Sequence, residues 1–504
     1  MKNSFFIFWI LILSSTIIDA QDSLYKEKYR PQFHFSPAKN WTNDPNGLVF
    51  FNGEYHLFYQ YNPFGNKWGH MSWGHAVSRD LVHWKHLPLA IREKDSIMIF
   101  SGSAVIDKNN SSGFATSPGQ LAMVAIYTAH IIADASHPDD YRQEQHIAYS
   151  LDNGRTWTKY PGNPVLNIHK KDFRDPKVFW YDNGKKWVMA VVLPHEHIVQ
   201  FYTSHDLKKW TYLSDFGPAG DTSEIWECPD LLQVPVANDP GKKKWVLINS
   251  QQVTTQYFVG DFDGRSFRNE NPPEKVYRLD YGPDYYASVT YNLPANDLPV
   301  LLGWANNWTY ANDIPTFPWK SAMALPRNLA LKKTQDGWIL IQQPVSALKS
   351  LRTSPLVLNN VTVSGTKNLS VRGQQLEMQL ELEPGANSTS GVRLAIGKNN
   401  VFIVGYDAAN EKLFIDRSGC SNKSFNAKFA ALWRYEVKLP TMDNKIKLQI
   451  FFDNSIIEVF ANNGVAVMTA QIFPNAKDIG IGLFSAGGPT KFVSLTLWKM
   501  KSSW

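Results

Sequence analysis

Cysteine is scarce. Only Cys228 and Cys420 occur in 504 residues, which excludes a disulfide framework as the organising principle of the fold. The sequence allows a bridge between the two, but nothing in it requires one. No Cys/His spacing typical of a zinc site is present, so neither a metal nor a cofactor is expected. Excess charge of one sign is also missing. The net charge of +6 is spread along the chain, without the dense Lys/Arg stripe of a nucleic-acid binder, so a neutral partner is expected. After the N-terminus no apolar run is long enough to cross a bilayer, and no membrane partner is expected.

What the chain has in quantity is aromatic residues, with 18 Trp, 21 Tyr and 29 Phe. Such rings pack well on pleated sheets and also stack on sugars, so composition alone leaves a β-fold and a carbohydrate binder equally open. The first 20 residues carry Lys2, an apolar stretch from Phe5 to Ile18 and a small-residue exit at Ala20. This layout predicts a secretory signal at 1–20, with an uncleaved anchor as the alternative. Export to the extracellular space, or to a periplasm in a bacterial host, follows. Sequons stand at Asn40, Asn109, Asn110, Asn307, Asn360, Asn368, Asn387 and Asn422; their use depends on the host. Nothing in the sequence indicates an oligomeric state.

A weak internal repeat runs through the first part of the chain. Ser78-Arg79-Asp80-Leu81-Val82-His83-Trp84 is echoed by Ser204-His205-Asp206-Leu207-Lys208-Lys209-Trp210 and, with variation, by Ser150 to Trp157; a degenerate copy spans Asp261 to Phe267. Each follows a short apolar segment and reads as strand, Asp-led turn, then strand. Between the copies lie five hairpins. Leu48 to Phe51 and Tyr55 to Tyr59 flank Asn52-Gly53, while Val178 to Tyr181 and Trp187 to Val192 flank Asp182-Asn183-Gly184, both tight-turn sequences. The others pair Ala104 to Ile106 with Ala122 to Tyr127, Leu231 to Val234 with Trp245 to Ile248, and Ala287 to Tyr291 with Val300 to Trp304. The chain is therefore predicted to be all-β, with a five-bladed β-propeller over 30–345. An irregular sandwich with accidental turn similarity is the competing reading. From 356 to 504 short alternating runs such as Leu376 to Leu382 and Ile446 to Phe452 predict a β-sandwich after a linker at Ser346 to Pro355.

Polar residues precede each of the five hairpins: Asn43-Asp44-Pro45, Phe100-Ser101-Gly102, Arg174-Asp175-Pro176, Glu227-Cys228-Pro229 and Asp284-Tyr285-Tyr286. Equivalent positions of successive blades face one axis, so Asp44, Asp175 and Glu227 are expected in a common funnel. A lone acid is ordinarily a solvated surface charge. Three carboxylates at one mouth repel each other, which costs stability unless the cluster has a task. Glycosidic bond cleavage requires such a set, with one acid protonated and another ionised. The following prolines are expected to hold the preceding residues extended.

Trp41-Thr42-Asn43-Asp44-Pro45-Asn46-Gly47, Arg174-Asp175-Pro176 and Trp226-Glu227-Cys228-Pro229-Asp230 resemble the three signature motifs of glycoside hydrolase family 32, the invertases, levanases, inulinases and fructan exohydrolases. The likeness runs from about Pro31 to the C-terminus, and Thr42 departs from the Met usual in the family. It implies a five-bladed propeller with a C-terminal sandwich, and retaining hydrolysis of terminal β-fructofuranosides in fructans and sucrose. It further implies Asp44 as nucleophile, Glu227 as acid and base, and Asp175 as the residue gripping the sugar. Asn43, Gln60, Trp68, Ser101, Arg174 and Trp304 match substrate-binding positions, with core packing as the alternative for the two tryptophans. Asp284 resembles a structural or hydroxyl-binding position. The stretches Gln256 to Gly264 and Trp304 to Thr316 look more like exo-acting levanases and exo-inulinases than like invertases. Transfer of fructose to a sugar, an inverting enzyme acting on pentose polymers, and an inactive fructan-binding protein are the alternatives.

Overall fold

The computed structural model describes residues 24–134, 136–294 and 297–504; the predicted signal segment at 1–20 lies outside them. The chain is a five-bladed β-propeller followed by a β-sandwich. The innermost strands of the blades are Asn40–Phe51, Ile97–Asp107, Arg174–Tyr181, Trp226–Val236 and Tyr286–Thr290. Each pairs antiparallel with the next strand in the chain, so all five predicted hairpins are present. One tip differs from expectation. At Asp182–Gly184 the chain makes a short 3-10 turn, and Lys185, not Gly184, takes the left-handed conformation with φ 47°.

The repeated Asp-led turns share one physical cause. Ser78 Oγ accepts the Leu81 N–H at 2.9 Å while Asp80 Oδ1 accepts the N–H groups of Val82 and His83 at 2.9 and 2.8 Å. Ser204 and Asp206 do the same for Leu207, Lys208 and Lys209 at 2.9, 2.9 and 2.8 Å. Ser150 and Asp152 hold Gly154, Arg155 and Thr156 likewise. These side chains satisfy backbone donors that a tight turn would otherwise leave unpaired. The repeat is therefore a repeat of turn chemistry.

The ring closes where its two ends meet. Trp319 and Lys320, which follow the first hairpin of the fifth blade, pair in parallel with Asn40 and Trp41 at the start of the first blade. Below the funnel the axis narrows to a small cavity whose lining includes Leu48, Ser103, Lys177, Pro229 and Thr290, one residue from each blade. Lys177 closes it, its ammonium donating to Asp230 at 3.1 Å and to the Thr290 carbonyl at 2.6 Å.

Propeller strands end at Pro344 and sandwich strands run from Leu356 to Lys499. The two units meet through buried polar groups. Arg327 donates to Asp280 of the propeller at 3.0 Å and to Glu458 of the sandwich at 2.7 Å. His34 bridges Asp453 and Glu458 at 2.8 and 3.1 Å. Burial opposes charge on this imidazole, but the two carboxylates overcome it and raise its pKa to about 9. Asp284 belongs to the same boundary, bonded to Arg417 at 3.0 Å and to the Gln471 N–H at 2.7 Å. Of the two readings of Asp284, the structural one fits this placement.

Cys228 and Cys420 are both buried and free. Among the described residues no helix is long and apolar enough to cross a membrane. The Asn307 sequon is spent on the fold: its side chain is 1% exposed and donates to the Pro283 carbonyl at 2.7 Å.

Candidate active site

Every innermost strand breaks its ladder near its start. Register slips between Thr42 and Pro45, Ile99 and Gly102, Arg174 and Lys177, Glu227 and Asp230, and Tyr286 and Val289. Such bulges re-aim side chains that a regular pleat would turn sideways. Inside three of them stand Asp175, Cys228 and Ala287, with φ of 65°, 49° and 49°. This overturns one expectation, because Asp175 precedes a proline and yet leaves the extended region. Its bulge is fixed from outside: the Asp175 N–H donates to Thr128 Oγ1 at 2.9 Å, and the Cys228 N–H donates to Asp175 Oδ2 at 2.9 Å. A second expectation needs adjustment too. Glu227 stands one residue before its bulge, Asp175 is the first residue inside its own and Asp44 the second, so the acids use three successive positions of the blade.

The three carboxylates come together at the funnel floor. Asp44 receives Asn43 Nδ2 on one oxygen at 2.9 Å and Ser101 Oγ on the other at 2.6 Å. Cys228 Sγ lies 3.7 Å from both Asp44 and Asp175, linking them across the axis. Arg174 Nε donates to Glu227 Oε1 at 3.1 Å, and the Tyr286 hydroxyl donates to Glu227 Oε2. Behind it, Asp172 takes Arg174 at 2.7 Å and the Tyr141 hydroxyl at 2.9 Å, which fixes the guanidinium.

Burial dominates the electrostatics. It raises the pKa of Asp175 to about 7, countered by Arg174 and reinforced by Glu227 and Asp44. It also pushes Asp44 up, against the two donors on its oxygens. A carboxyl bound more tightly to its proton in the folded than in the unfolded chain costs nothing below the unfolded value near 4, and costs most above the folded value. Asp175→Asn should therefore be more stable than the parent at pH 8, by at most about 4 kcal/mol at ~1.4 kcal/mol per unit. The gain should vanish as pH falls to about 4. Chemical denaturation at both pH values reads the difference, and a gain independent of pH would refute it.

The other expected site residues divide into three groups. Asn43, Ser101 and Arg174 touch the acids. Gln60 and Trp304 lie one layer behind: Gln60 donates to the Ile99 carbonyl at 2.9 Å, and Trp304 is fully buried against Trp41, Trp308 and Tyr286. Trp68 stands on the rim, 42% exposed. Sequence reasoning missed Tyr286, Thr128, Asp172 and Cys228 as neighbours of the acids. Tyr286 was within reach, since it lies in the polar stretch before the fifth hairpin. Thr128 and Asp172 sit on a second strand and a loop, where position along the chain gives no hint of the axis.

A five-bladed propeller that gathers three carboxylates around one funnel, with a sandwich packed behind it, is the architecture of a glycoside hydrolase. Residues 34–344 match the glycosyl hydrolases family 32 N-terminal domain and residues 347–499 the family 32 C-terminal domain. The chain belongs to glycoside hydrolase family 32. It is 47% identical to a levanase of Bacillus subtilis (strain 168), over 99% of this chain and 74% of that protein. It is 40% identical to an extracellular exo-inulinase of Aspergillus awamori, over 95% of this chain and 96% of that protein. The crystal structure of the Aspergillus awamori exo-inulinase superposes with a TM-score of 0.89 at 38% identity, covering 95% of this chain and all of that one. A β-fructofuranosidase of Schwanniomyces occidentalis complexed with fructosyl-erythritol gives 0.85 at 32% identity, over 95% and 99% of the two chains.

Proposed function

We propose that the protein is an exported exo-β-fructosidase that releases terminal fructose from levan, inulin and sucrose, with Asp44, Glu227 and Asp175 as its working acids. The observation that carries this reading is the meeting of the three acids at one funnel floor, each held by at least one donor from another blade. In the first step Asp44 attacks the anomeric carbon of the terminal fructosyl unit while Glu227 gives its proton to the departing oxygen. In the second, Glu227 takes a proton from water, the water oxygen bonds to the same carbon, and the bond to Asp44 breaks.

Asn43 and Ser101 favour the ionised form of Asp44 that attack requires, and they fix the direction of its lone pairs. Tyr286 suits the alternating role of Glu227, because a phenol hydroxyl can donate to the carboxylate and accept from the carboxylic acid. Asp175 and Arg174 are placed to grip the hydroxyls of the sugar, and Asp172 keeps Arg174 from swinging.

Purified protein incubated with sucrose, inulin and levan should release free fructose from all three, with fructose as the sole early product from the polymers. Fructo-oligosaccharides as first products would point to internal cleavage and overturn the exo reading. Growth of oligosaccharides from sucrose at high concentration would favour transfer over hydrolysis.

A further inference from the structure

Three exposed aromatic residues lie on loops that meet at the start of the first blade. Phe64 is 67%, Phe317 76% and Trp68 42% exposed. Tyr212 and Val357, also in solvent, lie on strands elsewhere. Phe64 and Phe317 come from separate loops brought together at the start of the first blade. The Pro63 and Gly65 carbonyls, on either side of Phe64, accept from Asn40 Nδ2 at 2.9 Å and from the Trp41 N–H at 3.0 Å. The Pro318 carbonyl, next to Phe317, accepts the Asn40 N–H at 2.8 Å. The backbone beside both rings is thus tied at Asn40, four positions before the acid Asp44.

These loops are tied down while their rings are held out. Lys320 Nζ donates to the Ile314 carbonyl at 2.6 Å and Thr316 Oγ1 to the Trp319 carbonyl at 2.8 Å. Asn426 of the sandwich donates to Asp313 at 2.7 Å, and the Trp68 N–H to Asn312 at 3.1 Å. A flexible loop could fold its Phe inward; a tied one keeps it in water, and a grouped set of such rings marks a binding surface.

Resting on the reading of the pocket as a site for one terminal fructose, we infer that Phe64 and Phe317 form a landing surface for sugar units further along an uncleaved fructan chain. The aliphatic C–H face of a sugar stacks on an aromatic ring, and rings on separate loops suit successive units of a flexible polymer. A protein partner fits less well. Even at ~250 Å² for a whole aromatic side chain, three partly exposed rings offer under ~500 Å², short of the ~800 Å² per side that a stable protein interface buries.

The Phe64→Ala/Phe317→Ala double variant tests this, since neither residue touches the acids and both are exposed. For high-molecular-weight levan and inulin, KM should rise about fivefold or more with kcat retained, while KM for sucrose stays within about twofold. Equal changes for polymer and disaccharide, or no change for either, would overturn the inference. So would a shift from dimer to monomer in sedimentation with polymer kinetics intact, because the rings would then serve self-association. Failure of the parent to cleave sucrose would instead strike the fructosidase reading itself.

Discussion

Asp44→Asn is expected to lose sucrose turnover by about 10⁴-fold or more while its melting temperature at pH 7 does not fall. The two halves of this result have one source. Asn is nearly isosteric with Asp: its oxygen can still accept from Asn43 Nδ2 while its amide nitrogen donates to the Ser101 hydroxyl, which is free to rotate, so the geometry around Asn43 and Ser101 survives. What disappears is the negative oxygen that the proposed attack on the fructosyl carbon requires. The stability half follows from burial, which pushes the Asp44 carboxyl above its ordinary range. Above the unfolded pKa near 4 the folded state holds this proton more tightly, so an ionised Asp44 is a net cost to folding there. Rates under saturating sucrose and a thermal melt in the same buffer check both halves. Turnover within tenfold of the parent would remove Asp44 from the nucleophile's role, and a melting temperature several degrees lower would mean that the variant is misfolded.

Arg327→Leu should have the largest effect on stability. The Arg327 side chain is fully buried, reaches Asp280, Glu458 and Thr469 from one nitrogen and Gln342 from another at 3.1 Å, and lies 4.0 Å over the Tyr285 ring. Leucine leaves Asp280 in a dry boundary without its cation and Glu458 with the His34 imidazolium alone, and breaking a buried pair in this way costs about 3–5 kcal/mol. Because Asp280 belongs to the propeller and Glu458 to the sandwich, the loss falls on their docking. Denaturant titration followed by tryptophan fluorescence should show an earlier midpoint and a broader transition, with Arg327→Lys in between because an ammonium is a point charge without the planar fork. A midpoint unchanged from the parent would mean that the boundary is held by its apolar contacts alone.

The sequence made the scaffold legible through turns more than through strands. Asp80, Asp152 and Asp206 could be aligned because each caps the same backbone donors, and a shared hydrogen-bonding task leaves a shared pattern of residue types. Convergence of Asp44, Asp175 and Glu227 was legible for a related reason, since each directly precedes a hairpin. The bulges were not. Nothing in Arg174-Asp175-Pro176 says that φ at Asp175 turns positive, because the contacts that hold it come from Thr128 and Cys228 on two other blades. For the same reason Asp284 could not be separated into its two readings until Arg417, far along the chain, was seen beside it.

The seam between Trp319-Lys320 and Asn40-Trp41 means that possession of the three acids is not possession of a site. All three are encoded before residue 228, yet the strand that bears Asp44 is braced by residues from beyond the fifth blade's first hairpin. A protein truncated between them would carry all three acids but not the seam that braces the strand of Asp44. Loss of the late segment is, for this enzyme, an active-site lesion.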